Sequence, residues 1–130
     1  MAELTRPEVE PPTGPAPDDL VIEDLVVGEG QEAKAGDLVS AHYVGVTHDG
    51  GEQFDASWDR GDPLEFRVGV GMVIQGWDEG IVGMKVGGRR RLTIPPHKAY
   101  GDRGAGGVIK PGATLVFVVD LVGVRPFTGG

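Results

Sequence analysis

Tyr43, Phe54, Phe66, Trp77, Tyr100 and Phe117 are dispersed over separate stretches of the sequence, and they are its most conspicuous chemical material. Taken alone they read as core, because aromatic side chains dominate ordinary interiors. Tyr43 and Tyr100 stand apart, since a buried phenol needs a hydrogen-bond partner and such tyrosines often line pockets. Familiar reactive groups do not accompany them. The sequence has no cysteine, which excludes a disulfide framework, a thiolate zinc site and a cysteine nucleophile. Ser40 and Ser57 are its only serines, and neither sits in a Gly-X-Ser-X-Gly turn. His42, His48 and His97 lack metal-ligand spacing and have no acidic cluster beside them, so no metal site is expected. Gly101–Gly107 is glycine-rich, but no strand–loop–helix frame makes it a phosphate loop. Arg89, Arg90 and Arg91 would alternate across a strand, so they read as partners for carboxylates rather than as one anion patch. The usual parts for hydrolysis, group transfer or redox chemistry are missing, and no cofactor is implied.

The elements that must position these rings are short. Leu20–Val27 reads as a strand stopped by Gly28-Glu29-Gly30, and Leu38–Thr47 as a second, rich in β-branched and aromatic residues. Asp49-Gly50-Gly51 is a hairpin signal, after which Glu52–Phe54 pairs back. Asp59–Asp62 reads as a turn or bulge, and Leu64–Val68 as a strand behind Pro63. Ile74, Trp77, Ile81 and Val82 fall on one helical face, with Gln75, Asp78 and Glu79 opposite. Gly76 and Gly80 weaken that helix, which must be short and held by packing. Arg89–Ile94 is a further strand, and His97–Gly112 a long loop of the kind that usually carries function. In Thr114–Val124, Leu115, Phe117, Val119 and Leu121 share one face, and the other face is apolar enough for a central strand. One helix cannot cover both faces of a large sheet, but a sheet curved around it satisfies the burial demand. The expected fold is therefore α+β, an antiparallel sheet curled around one short helix.

Length and charge bound the rest. The 130 residues suggest one domain, here 19–126, between a Pro-rich acidic tail at 1–18 and a short tail at 127–130. Pro7, Pro11, Pro12, Pro15 and Pro17 leave the first tail little apolar material to offset ordering entropy, so it reads as disordered or extended. The net charge of −8 argues against nucleic-acid binding, which needs Lys and Arg for phosphates. No stretch has the ~20 apolar residues of a membrane-spanning helix. The first residues lack the basic start and apolar run of a signal peptide, so a cytoplasmic location is expected. A monomer is the default.

Several blocks, in order and spacing, now resemble a known family. They are Ala41-His42-Tyr43-Val44-Gly45, Gln53-Phe54-Asp55-Ala56-Ser57, Val73 through Gly80, Arg91 through Pro95, Ala99-Tyr100-Gly101 and Ala113 through Phe117. Over residues 20 to 126 the chain resembles the FKBP-type peptidyl-prolyl cis-trans isomerases. The resemblance implies a half-barrel around one helix and prolyl isomerase activity in an apolar pocket between them. It implies catalytic roles for Asp55, Tyr100, Phe54 and Trp77, with Trp77 as the pocket floor. Tyr43, Phe66, Val73, Ile74 and Phe117 would contact substrate, as would Val108 and Ile109 from a flap. The Ile74 amide and the Tyr100 hydroxyl would bind substrate carbonyls, and Arg60 would pair with Asp55. Leu64 stands where relatives commonly carry Phe, Met72 where they carry an acid, and Ala105 where the flap often carries His. These departures bear on substrate preference and macrolide affinity while leaving the aromatic framework intact.

Implied partners are Pro-containing peptides, unfolded proteins, and macrolides such as rapamycin and tacrolimus. The reaction needs no covalent step. Resonance gives the peptide bond a rotation barrier of ~18–20 kcal/mol, while X–Pro isomers differ by only about 0.5–1 kcal/mol. An enzyme need only bind the twisted amide better than either planar form. The rival from another class is a module that holds Pro-containing partners without catalysing rotation, and the full aromatic set favours the enzyme.

Overall fold

Strand and turn chemistry divides the chain as follows, over the residues that the computed structural model describes: 15–48, 51–101, 103–104 and 109–125. The order is β1 (Val21–Val26), β2 (Leu38–Thr47), β3 (Gln53–Ala56), β4 (Leu64–Arg67), α1 (Gln75–Ile81), β5 (Arg89–Ile94) and β6 (Leu115–Arg125). Short 3-10 turns at Ser57–Asp59 and Pro96–Lys98 follow β3 and β5. The expected tails lie wholly or largely outside the described residues, as do Val108, Ala105 and the first two residues of the expected hairpin turn.

All pairings in the six-stranded sheet are antiparallel, with the main path β1-β5-β6-β2-β3 and β4 on β2. β6 is central, as its two apolar faces suggest: Leu115, Phe117, Val119 and Leu121 enter the main core, and Val116 joins a smaller cluster with Val44, Val46 and Ala56. β2 carries β4 along its first residues and β3 along its last, and its pairing with β6 shifts register at Ser40–Ala41. A register shift of this kind bends a strand and raises its twist, which curls the sheet. The arginines of β5 pair separately with carboxylates: Arg89 with Asp120, Arg90 with Asp24, and Arg91 with Glu23. Asp120 is fully buried, and burial holds its carboxyl above the ordinary range although Arg89 opposes the shift.

The helix is shorter than its apolar period suggests. Ile74 and Val82 are the flanking residues, with extended ψ of 150° and 130°. The buried face is Gly76, Trp77, Gly80 and Ile81. The two glycines thus do more than weaken the helix, because they face β5 directly. A Cβ on Gly76 would stand 2.5 Å from Ile94 Cγ2, and one on Gly80 2.7 Å from Leu92 Cδ2. Without side chains at these positions the helix backbone settles against the sheet. Arg90 Nη1 donates to the Gly80 and Val82 carbonyls at 2.9 and 3.2 Å, satisfying acceptors that a helix end leaves open.

In an exposed helix, Gly→Ala would stabilise by roughly 1 kcal/mol. Here Gly76→Ala and Gly80→Ala are each expected to destabilise by about 1–3 kcal/mol, the usual cost of overpacking. The midpoint of urea unfolding checks this, and a raised midpoint in either variant contradicts the close seating of helix on β5.

Candidate functional site

Between α1, the inner face of β2, β3 and β6, and the loops beyond β4 and β5 lies a cleft of about 480 Å³. Tyr43, Phe54, Asp55, Leu64, Gly71, Met72, Val73, Ile74, Trp77, Tyr100 and Phe117 line it. Trp77 is the hub of the rings. Its centroid lies 4.9 Å from Tyr43 and 5.2 Å from Phe117, both edge-on, and 5.6 Å from Phe66. Phe54 meets Phe117 edge-on at 5.4 Å. These are the offsets and separations that ring quadrupoles favour. The Trp77 indole Nε1 is buried and has no acceptor among the described residues.

Gly45 makes the ring wall possible. A Cβ there would stand 2.7 Å from Phe54 Cζ and 2.8 Å from Phe117 Cε1. A glycine inside a strand pattern signals such close approach, and this was the legible cue for it.

The polar edge is a closed triad. Tyr43 Oη donates to Asp55 Oδ2 at 2.6 Å, Arg60 Nη1 donates to Asp55 Oδ1 at 2.9 Å, and Arg60 Nη2 donates to Tyr43 Oη at 2.8 Å. The expected Arg60–Asp55 pair is present, and the link through Tyr43 is added to it. Ser57, fully buried, fixes the turn that connects Asp55 to Arg60. Its Oγ accepts the Tyr43 N–H at 2.7 Å and lies 2.8 Å from His42 Nδ1, while its carbonyl accepts the Arg60 N–H at 3.0 Å. In the sequence Ser57 stands out only as a serine outside any nucleophile turn and as the last residue of the block 53–57. Its structural part depends on a contact fourteen residues away, which no local pattern reveals.

The remaining expected residues divide. Val73 and Ile74 line the cleft, and the Ile74 N–H meets no acceptor among the described residues. Tyr100 is 39% exposed at the rim. Phe66 lies behind Trp77 rather than in the lining, because its strand residue points into the core. Ile109 is likewise 6% exposed and packed in the core, not among the lining residues. Val108 lies outside the described residues. Leu64 and Met72, noted as departures from the family, both line the cleft.

Desolvation pushes the Tyr43 phenol above its ordinary value, the Asp55 hydrogen bond adds to this, and Arg60 works against it. Burial also raises Tyr100, with the Asp55 charge as the smaller cause. Both hydroxyls therefore stay protonated across the neutral range.

A curled antiparallel sheet, a single short helix and a ring-lined cleft at that helix's start define the FKBP-like class of domains. The family described as "FKBP-type peptidyl-prolyl cis-trans isomerase" matches residues 29–122. An "FK506-binding protein" of Streptomyces anulatus is 61% identical over 93% of this chain and 98% of its own. A "Probable FK506-binding protein" of Corynebacterium glutamicum is 56% identical over 92% of this chain and 98% of its own. Among solved structures, AtFKBP13 superposes with a TM-score of 0.76 at 47% identity, covering 85% of this chain and 96% of its own. FkpA from Escherichia coli gives 0.74 at 44% identity, covering 82% of this chain and 48% of its own. The chain belongs to the FKBP-type peptidyl-prolyl cis-trans isomerase family.

The raised phenols set a pH dependence. A tyrosine whose pKa is higher folded than unfolded contributes stability that is complete below about pH 10 and is lost as pH rises through the folded value. Absorbance titration of the native chain is expected to show both tyrosines ionising above pH 10, with Asp55→Ala moving both midpoints down. An unmoved Tyr43 in that variant would refute the Asp55 contact.

Proposed function

We propose that this chain catalyses rotation about X–Pro peptide bonds by binding the twisted amide in the cleft over Trp77. The observation that carries the reading is the ring wall itself: Tyr43, Phe54, Trp77 and Phe117 converge on one cavity, and beside it the Ile74 N–H and the Tyr100 hydroxyl meet no partner among the described residues. Trp77 supports the proline ring from below. The two donors take carbonyls of the substrate backbone and hold the peptide while one amide turns. In the half-rotated state that amide loses resonance and its oxygen loses negative charge. Water stabilises the polar planar form, so its exclusion by the rings favours the twisted form.

Asp55 acts through position and charge. Bonded to Tyr43 and Arg60, it holds the wall of the cleft and places a negative field beside the turning bond. Both partners of the Asp55–Arg60 bridge are about half exposed, so water and salt weaken the pair. The substrates are Pro-containing peptides and unfolded chains, and the setting is the cytoplasm. The two relatives carry the names FK506-binding protein and probable FK506-binding protein, and the same cleft is our candidate for that macrolide, tacrolimus, here.

A protease-independent assay of proline isomerisation in a short peptide tests the proposal. The chain is expected to accelerate exchange, and tacrolimus to abolish the acceleration. Rates equal to the uncatalysed reaction eliminate the enzyme and leave a binding module. Asp55→Ala and Tyr100→Phe are expected to lower kcat/KM by about tenfold, the scale of a lost hydrogen bond to a charged or polar group, with the unfolding midpoint of Tyr100→Phe little changed.

Trp77→Ala removes the hub of the core as well as the floor. A loss of about 3–5 kcal/mol of stability is expected together with the loss of turnover. Full activity in that variant contradicts the floor assignment.

A further inference from the structure

Asp78 lies on the solvent side of α1, outside the cleft lining, yet both of its carboxylate oxygens are engaged. Oδ1 accepts the Gly69 N–H at 2.8 Å and Oδ2 accepts the Gly71 N–H at 2.9 Å. These amides belong to the segment between β4 and α1. Val68, at its start, is fully buried and exchanges backbone hydrogen bonds with Gly36 and Asp37. Ile74, at its end, accepts the Trp77 and Asp78 N–H groups.

Between these anchors the segment has little of its own to hold it beyond Val73, which packs against the core. Val70 is 53% exposed and Met72 62% exposed. Gly69 and Gly71 have φ of +81° and +83°, a conformation open to glycine and rarely to other residues. Among the described residues no other hydrogen bond ties 69–73 to the fold. The same segment supplies Gly71, Met72 and Val73 to the cleft and leads directly into Ile74.

We propose that Asp78 is a positioning residue for substrate binding: by clamping the Gly69 and Gly71 amides it holds the Met72–Ile74 rim at the height the prolyl peptide requires. The role rests on the isomerase reading above. A carboxylate suits it because both oxygens accept, whereas an amide presents one acceptor and one donor. Asp78→Asn therefore sets an N–H group against one of the two loop amides. The loop then samples open positions, and only the closed fraction binds, so the apparent affinity falls by that fraction.

Three measurements on the full chain test this: steady-state kinetics on a prolyl peptide, amide hydrogen exchange, and urea unfolding. Asp78→Asn is expected to lower kcat/KM by about tenfold, mainly through KM, as expected for a lost charge-assisted hydrogen bond. Exchange should quicken at Gly69 and Gly71 while the β2 and β6 amides and the unfolding midpoint stay as in wild type. Asp78→Glu, which keeps two acceptors on a longer stem, should recover most of the loss. Wild-type kcat/KM in Asp78→Asn overturns the positioning role, as does a fall that tracks faster exchange throughout the sheet. A wild-type chain without any turnover sinks the isomerase reading itself, and this role with it.

Discussion

The contact on which the structure turns is the meeting of Trp77 with Tyr43, Phe66 and Phe117. It joins α1 to three strands, and it belongs at once to the core and to the lining of the cleft. For Trp77 to reach these rings, the helix must lie close on the sheet. Gly76 and Gly80 permit that approach, since any side chain there would strike Ile94 or Leu92. Gly45 does the same for the opposite wall by letting Phe54 and Phe117 close over β2. The cavity is therefore shaped as much by missing side chains as by the rings.

Around this apolar centre the polar groups hold backbone in place. Asp55 and Arg60 lock on the Tyr43 hydroxyl, while Ser57 fastens the turn that carries them to the β2 backbone. Asp78 does comparable work on the other rim through Gly69 and Gly71. Loops lack the ladder hydrogen bonds that fix strands, so a carboxylate accepting two N–H groups is an effective substitute. A cleft whose walls are so held can be preorganised for one shape of substrate, which is what the proposed preference for a twisted amide over a planar one requires.

Much of this was legible beforehand. β2 and β5 fall at Leu38–Thr47 and Arg89–Ile94 as read, β2 from its β-branched and aromatic run and β5 from the prolines that end it, and the central place of β6 followed from its two apolar faces. The helix was found by its apolar period, though Ile74 and Val82 lie just outside it because their ψ values are extended. Less legible were Phe66 and Ile109, which belong to the core and not to the cleft lining. Apolar residues on neighbouring elements look alike in sequence whether they face a cavity or the interior behind it.

By itself, the sequence determined the kind of protein: its family, its antiparallel sheet with one short helix, and the set of aromatic residues available for a site. These follow from periodicity, turn residues and ordered motifs, all of which are local in the chain. The tertiary structure alone decided which rings share a cavity, that Tyr43 closes the Asp55–Arg60 pair, and that Ser57 and Asp78 brace the rims. Those relations join residues distant in sequence. Their distances are fixed by strand register and helix seating, which depend on the packing of the whole domain at once.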